Sequence, residues 1–511
     1  MYCGQEEDDA GVGRRRPASF SLSHSFCRYR LVRNPNAATT TCTMPSNNPH
    51  SSYDVTSRCS SFADSMDRPS WDEGESSEPP LPQVSISRTV TVPDQVKVAR
   101  CQRLPEYGPR ILFFSGGSAI RELSEVLKEY THNSIHLITP FDSGGSSAEI
   151  RRAFGMLSVG DLRNRLMALS DDSSLGNPEV KALFSHRLSK HEPLSAQSEF
   201  RDLLSGRHSL CKAVTLPMRS ILTSHLRWFA NRMPADFDLC GSSIGNLIIT
   251  GCFLEHDRDV VTAIYLIWKL LAVKGNVRPL TGANLHIRAH YENGVQEVGQ
   301  HLLGKHADMG INHGRIVDLD LVDSLPIRQK DSDDGSATPL PQPARTCHID
   351  MVSAELVDSA DVLCYPMGSF FGSLVVNLLP IGVGQAVVKR HCPKIYCPNT
   401  GNDPEMYGYS LTDCIQRIID MVRKDAETAD TDSAQAPISQ IMNFVLLDTK
   451  HCHYCVAIDK EEIATRFGGE IAVLDICLVD YETMATVETM LQKSHELNPT
   501  KVVEVLLTLG S

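Results

Sequence analysis

The chain has no apolar stretch near the roughly 18 residues needed to span a bilayer; its best, Val260 to Val273, is short and broken by Lys269. No transmembrane helix is expected. It also lacks a basic excess: 49 Lys and Arg stand against 62 Asp and Glu, a formal net charge of -13. Non-specific nucleic-acid binding, which needs a clustered basic surface, is therefore not expected. No internal repeat is visible. No secretory signal is recognised, so the 16 cysteines, scattered through a large chain, read as reduced thiols of a cytoplasmic compartment. The G-x-S-x-G elbow of hydrolases is absent from the strand ends. Gly116-Gly117 lacks both the third glycine of a dinucleotide fingerprint and the Lys-Ser/Thr of a P-loop.

One further absence is local. Between Asp9 and Asp54 there is no acidic residue, while Arg14, Arg15, Arg16, Arg28, Arg30 and Arg33 sit among Ser and Thr. That composition resembles an organelle transit peptide, although the acidic start Glu6 to Asp9 does not. Residues 1–108 are read first as a disordered extension and second as a targeting segment for a plastid or another organelle. Ser70 to Pro82 reads as linker.

What is present is a series of apolar strands that end in Gly/Ser turns. Ile111-Leu-Phe-Phe-Ser-Gly-Gly117 is followed by Leu123, Val126, Leu127 and Tyr130 at helical spacing, then by a second strand from Ile135 to Thr139. This is a βαβ unit of a parallel sheet. The second strand runs into Asp142-Ser-Gly-Gly-Ser-Ser147. Ser146 and Glu149 carry capping-box chemistry for the next helix, and Asp161 is placed to cap another. A helical middle spans about 178–274. A polar loop, 328–345, is read as an insertion or lid. Ala360 to Cys364 forms a third strand that leads through Gly368-Ser369 into an apolar helix from Phe370 to Leu379. Ala386-Val-Val and Lys394 to Cys397 read as further strands, the latter ending at Pro398-Asn399. The fold class is α/β, a Rossmann-like doubly wound and mostly parallel sheet with a helical insertion.

Strand ends rich in Gly, Ser, Asp and Asn, at the carboxyl edge of such a sheet, form a ligand crevice. Free helix-start amides and the helix dipole there receive phosphate. Asp142 and Asp161 suit a divalent cation such as Mg²⁺, which takes one or two carboxylates plus phosphate oxygens; for Asp161 an N-cap role is equally open. Asn164, Asn246 and Asn377 are either ligand contacts or satisfied core polar groups. Arg151, Arg152 and Arg163 are candidate phosphate ligands or a solvated helix face. His391-Cys392, Cys397 and His451-Cys-His-Tyr-Cys455 hold metal-ligand residue types, but such spacings arise readily by chance in so cysteine-rich a chain.

Six segments in order, Ser115-Gly-Gly-Ser118, Asp142 to Ser147, Val159-Gly-Asp-Leu-Arg-Asn164, Ser243-Ile-Gly-Asn-Leu247, Gly368-Ser369 with Ser373 and Asn377, and Pro398-Asn399, resemble the CofD-like superfamily. That family contains 2-phospho-L-lactate transferase and the gluconeogenesis factors, and the resemblance covers about 109–511. It implies a Mg²⁺-dependent transferase that moves a phospholactyl-type group from a guanosine-diphosphate-linked donor to a deazaflavin-like hydroxyl, on the route to coenzyme F420. The alternative it implies is a non-catalytic regulator that binds a nucleotide or sugar nucleotide, and a homodimer is compatible with either. By this likeness Gly116, Gly117 and Ser118 cradle a phosphate, with Gly144, Gly145, Arg163 and Asn164 nearby. Asp142 and Asp161 hold Mg²⁺, or one of them takes the acceptor's proton. Gly368 and Ser369 close the far side, and Asn246, Asn377 and Asn399 orient the ligand. Ala119, Ser143 and Ser242 depart from the usual pattern, standing where relatives carry Gly, an acidic residue and His.

Overall fold

In the computed structural model the described residues are 89–511 except 174, 305–312, 326–341, 344–345, 427–435, 481–495 and 511. The extension reading for 1–88 and the lid reading for most of 328–345 thus lie outside the described residues.

Ile111–Ser115 (β1) is a continuous apolar run with every residue buried, as expected of a parallel strand covered on both faces. It pairs in parallel with Ile135–Ile138 (β2) on one side and Val362–Tyr365 (β7) on the other. Asn276–Pro279 (β3) continues the sheet beyond β2, and Lys394–Tyr396 (β8), Phe444–Leu447 (β9) and Ala472–Asp475 (β10) continue it beyond β7. The order β10-β9-β8-β7-β1-β2-β3 reverses direction of winding at the β1/β7 junction. This is the switch point at which the loops leaving two neighbouring strands diverge and leave a crevice.

A second sheet of His286–Tyr291 (β4), Gln296–Val298 (β5) and Ile316–Val322 (β6) is antiparallel. Its apolar face, with Ile287, Ala289, Leu319 and Leu321, joins the core on one side of the main sheet. The strand, turn and helix series of the parallel sheet does not include it; its strands alternate apolar and polar residues instead, with Arg288 and Asp320 paired on the polar face.

The helices run Gln95–Arg103 (α1), Arg121–Leu127 (α2), Gly145–Phe154 (α3), Gly160–Ala168 (α4), Pro178–Ser185 (α5), Pro193–Leu204 (α6), Ser209–Ala213 (α7), Met218–Arg232 (α8), Ile244–Glu255 (α9) and Val260–Leu270 (α10). Those from α5 to α10 build the helical middle around α9, whose residues from Ile244 to Leu254 are all buried. The compact unit starts at Val92. Helix α1 therefore belongs to the folded unit and not to the extension: Asp94 caps it, and Val98 and Cys101 pack beside Val502 and Val505 of the C-terminal helix Pro499–Leu509.

Four local expectations fail. Ala386 to Val388 is helical within Val383–Lys389 rather than a strand, because the buried carboxylate of Asp425 collects the amides of Gly382, Gly384 and Gln385 at the helix start. Ser146 is not the cap of α3; Gly144 is, and Glu149 pairs with Arg152 instead. The cap of α4 is Val159, with Asp161 inside the first turn. The apolar stretch after Ser369 is not a regular helix but a π turn, Phe370–Leu374, followed by a 3₁₀ turn, Val375–Leu378.

Candidate functional site

The crevice at the switch point is lined by Gly116, Gly117, Ser118 and Ala119 after β1 and by Gly368, Ser369 and Ser373 after β7. Two sets of strand ends, separated by about 250 residues of chain, are thereby joined as the sequence reading expected.

Asp161, from the first turn of α4, packs against the β1 turn that lines the crevice. Gly117 donates its amide to the Asp161 carboxylate, and a Cβ on Gly117 would stand 2.2 Å from Asp161 Oδ1 and 2.9 Å from its Cα. On Gly116 a Cβ would meet Ser373 Oγ at 2.6 Å. The glycine pair is thus required by close approach. Gly117→Ala is expected to destabilise the protein by about 1–3 kcal/mol, because backbone lies behind the clash, and to displace Asp161; thermal denaturation together with ligand calorimetry checks both.

Asp142 reaches the same region from β2. Its Oδ1 accepts from the amide of Gly144 at 2.9 Å, and its Oδ2 lies 3.3 Å from where a Cβ on Gly160, the residue before Asp161, would stand. The charge of Asp142 and, to a larger degree, burial push the Asp161 carboxyl up from 3.8 to about 7, against the opposing pull of Arg165 and Arg163. Two carboxylates are therefore held where one prefers to be neutral in the absence of a cation.

Anion-receiving groups surround them. Helix α3 begins with no side-chain cap, as does α9, so first-turn amides of each are left without a side-chain acceptor. Asn246 links the two helix starts by donating to Ser146 Oγ at 3.0 Å. Buried polar atoms without a protein partner cluster at these strand and helix ends: Ser115 Oγ, Thr139 Oγ1, Asn246 Oδ1 and Asn377 Oδ1. Such atoms are rare in folded proteins and mark places where something else supplies the bond.

Other expected residues take different positions. Asn377 donates to the carbonyls of Ser115 and Ser373, at 3.3 and 2.7 Å, and so braces the two turns from beneath. Arg163 is buried and directed at the start of α9, where it donates to Ser243 Oγ and to Asn164 Oδ1; burial lowers it to about 10. Asn399 hydrogen-bonds the Asp403 carboxylate. Asp403 and Glu405 in turn accept the amides of Phe370, Phe371 and Gly372 at 2.7–3.0 Å. The helix start after Ser369 is consequently occupied by the protein's own carboxylates, which leaves the β1 turn and the starts of α3 and α9 to receive an external anion. The His/Cys segments do not assemble as one cluster among the described residues: Cys397 lies beside Cys364 and Cys455 beside Met406, and none of the described cysteines is in a disulfide.

Three residues that matter here were not singled out for these roles. Arg165, fully buried, donates to the carbonyls of Ile120, Gly116 and Gly117. Arg151 donates to the carbonyls of Phe141 and Asp142 at 3.1 and 2.9 Å and fixes the second loop, which rules it out as a free phosphate ligand; Arg152 pairs at the surface with Glu149 and Asp236. His301, from the turn after β5, lies 2.8 Å from Ser143 Oγ. The only sequence signal for Arg165 was its spacing: four residues after Asp161, it falls on the same helix face.

A family description, 2-phospho-L-lactate transferase CofD, matches residues 111–475. The chain belongs to the CofD family. Among CofD-family relatives, a Nostoc protein bearing the gluconeogenesis factor name is 27% identical over 312 residues, 61% of this chain and 52% of that protein. The gluconeogenesis factor of Bacillus subtilis is 24% identical over 311 residues, 61% of this chain and 74% of that one. The chain thus spans about half the length of the Nostoc relative. A crystal structure of a UPF0052 family protein from Bacillus halodurans superposes with a TM-score of 0.52 at 20% identity, covering 78% of this chain and 99% of that one, a likeness of fold. No helix among the described residues is long and apolar enough to cross a membrane.

Proposed function

We propose that the crevice binds the diphosphate of a nucleotide-linked ligand together with Mg²⁺, and that the protein is a transferase of a substituted phosphoryl group. The donor on this reading is guanosine-diphosphate-linked and the acceptor a deazaflavin-like hydroxyl. The observation that carries the reading is the pair of carboxylates, Asp142 and Asp161, near enough for the charge of one to raise the other, beside helix starts without a side-chain cap. Their oxygen donors suit Mg²⁺, and buried hydroxyl and amide oxygens without partners lie around them. Bound there, the cation would supply positive charge to the diphosphate oxygens.

The chain's own part is positioning and charge placement, which carry most of the catalysis in phosphoryl-type transfer. The amides of the β1 turn and of α3 receive phosphate oxygens. Arg165 keeps the carbonyls of the turn directed away from them. Asn246 and Asn377, with amide oxygens still unpaired, are placed to select hydroxyl or amino groups of the ligand.

A second reading, a regulator that binds a nucleotide or sugar nucleotide without turnover, is favoured by one feature: Ser143, in contact with His301, stands where a further carboxylate would strengthen the metal site. Calorimetry of the full chain against GDP, GMP, UDP-N-acetylglucosamine and NAD, each with and without Mg²⁺, separates them. Guanine-selective, Mg²⁺-dependent binding is expected for the transferase, and preference for the sugar nucleotide or NAD for the regulator. Absence of binding by all four at millimolar concentration removes both.

A further inference from the structure

Away from the crevice, three helices of the insertion bring together His186, Glu199 and His208. His186 ends α5, Glu199 lies within α6, and His208 caps α7. His186 Nε2 is 2.5 Å and His208 Nε2 is 3.4 Å from Glu199 Oε1, and one ligand atom from each of the three residues lies within 4.8 Å of the others. The imidazole rings are 5.5 Å apart and inclined at 40°, so they converge on the carboxylate without stacking. We propose that these residues form a binding site for a zinc-class divalent metal ion.

The donor set decides the class. Two imidazoles and one carboxylate suit Zn²⁺ and its neighbours, whereas Mg²⁺ and Ca²⁺ prefer oxygen alone. With both rings neutral the cluster carries one negative charge, which a cation offsets. The side chains retain 18–29% exposure, sufficient for entry of an ion and for water in a fourth position. A second such group of three among the described residues, Asp448 with His451 and Cys477, is less suited. There Asp448 already accepts the amides of His451 and Leu478 as well as the His451 ring.

One contact must yield. The amide of Leu210 donates to His208 Nδ1 at 3.3 Å, which keeps the proton of the neutral ring on Nε2. Metal on Nε2 transfers that proton to Nδ1 and breaks this long bond, so binding weakens the α7 cap while joining α5, α6 and α7. The consequence reaches the crevice mechanically: the carbonyl of His186 accepts the amide of Ile244, the first residue of the helix that carries Asn246.

The test uses the full chain stripped with a chelator and titrated with Zn²⁺ against a competing chromophoric chelator, and with Co²⁺ followed by its visible absorption. One tight equivalent is expected, together with a rise in melting temperature. Glu199→Gln, which keeps a hydrogen-bonding group of the same size beside His186, is expected to weaken binding on the order of 100-fold; His186→Gln should do the same, and His451→Gln should leave binding unchanged. No saturable equivalent in the wild type, or wild-type affinity retained in the Glu199 and His186 variants, overturns the site. So does loss of the Co²⁺ bands in the His451 variant alone, which would place the ion at Asp448.

Discussion

Asp161→Asn is expected to make the ligand-free protein more stable at pH 8 while abolishing the Mg²⁺-dependent ligand binding proposed for the crevice. The folded carboxyl sits at about 7, raised from 3.8 by burial and by Asp142. Between those values the folded state holds a proton that the unfolded state has released. Stability therefore falls as pH rises from about 4 to about 7 and stays reduced above it. At roughly 1.4 kcal/mol per pKa unit, the loss reaches up to about 4 kcal/mol at pH 8. An asparagine still accepts the Gly117 amide but has no charge to bury, so the gain should be seen at pH 8 and vanish near pH 4. Melting temperatures of both proteins at the two pH values, with and without Mg²⁺, decide the matter. If the variant is instead less stable at pH 8, Asp161 serves as a structural partner of Gly117 and Arg165, and its role as a metal ligand falls.

That opposite pull between stability and binding distinguishes a functional carboxylate from a cap. The sequence reading left both open for Asp161, since an Asp shortly before a helical stripe has the same appearance in either role. The difference lies in two residues of register. Helix α4 begins at Gly160, which places Asp161 inside the turn and directs it across to Gly117. Register of this kind is set by tertiary packing, here the approach of β1's turn to α4, and periodicity does not encode it.

The centre of the parallel sheet was legible because β1, β2 and β7 are short apolar runs followed by turns rich in Gly and Ser, and because the two turns that form the crevice each carry the glycines that close approach demands; β3, with Asn276 and Arg278, and the outer strands β9 and β10 were not singled out. The antiparallel sheet was passed over although it carries the period-2 alternation of half-buried strands, with Ile287, Ala289, Leu319 and Leu321 facing the core and Arg288 paired with Asp320 on the other face. The occupancy of the Phe370 helix start was hidden: Asp403 and Glu405 lie some 33 residues away in sequence, and nothing in either segment points to the other. An anion site read from a glycine-serine turn alone therefore overcounts, because an internal carboxylate satisfies the same amides as an external phosphate.

Arg165→Met is the substitution expected to damage both fold and site most. Arg165 is fully buried, and its guanidinium spans from Ile120 O at 2.7 Å to Gly116 O at 3.1 Å, with Gly117 O beyond at 3.4 Å and Ser124 Oγ alongside. Burial lowers it only to about 9, so it remains charged at neutral pH and balances Asp161. Removing it leaves buried carbonyls unpaired and Asp161 without its nearest opposing charge, a loss on the order of 3–5 kcal/mol. Arg165→Lys keeps the charge but offers a single point of donation where a planar fork reaches several carbonyls. The lysine variant should therefore retain much of the fold, with Asp161 still balanced, yet bind nucleotide more weakly because the turn is no longer held in one shape. Chemical denaturation and ligand calorimetry on the two variants separate these effects: equal ligand affinity in the lysine variant and the wild type would show that charge alone, rather than the shape of the turn, is what Arg165 contributes.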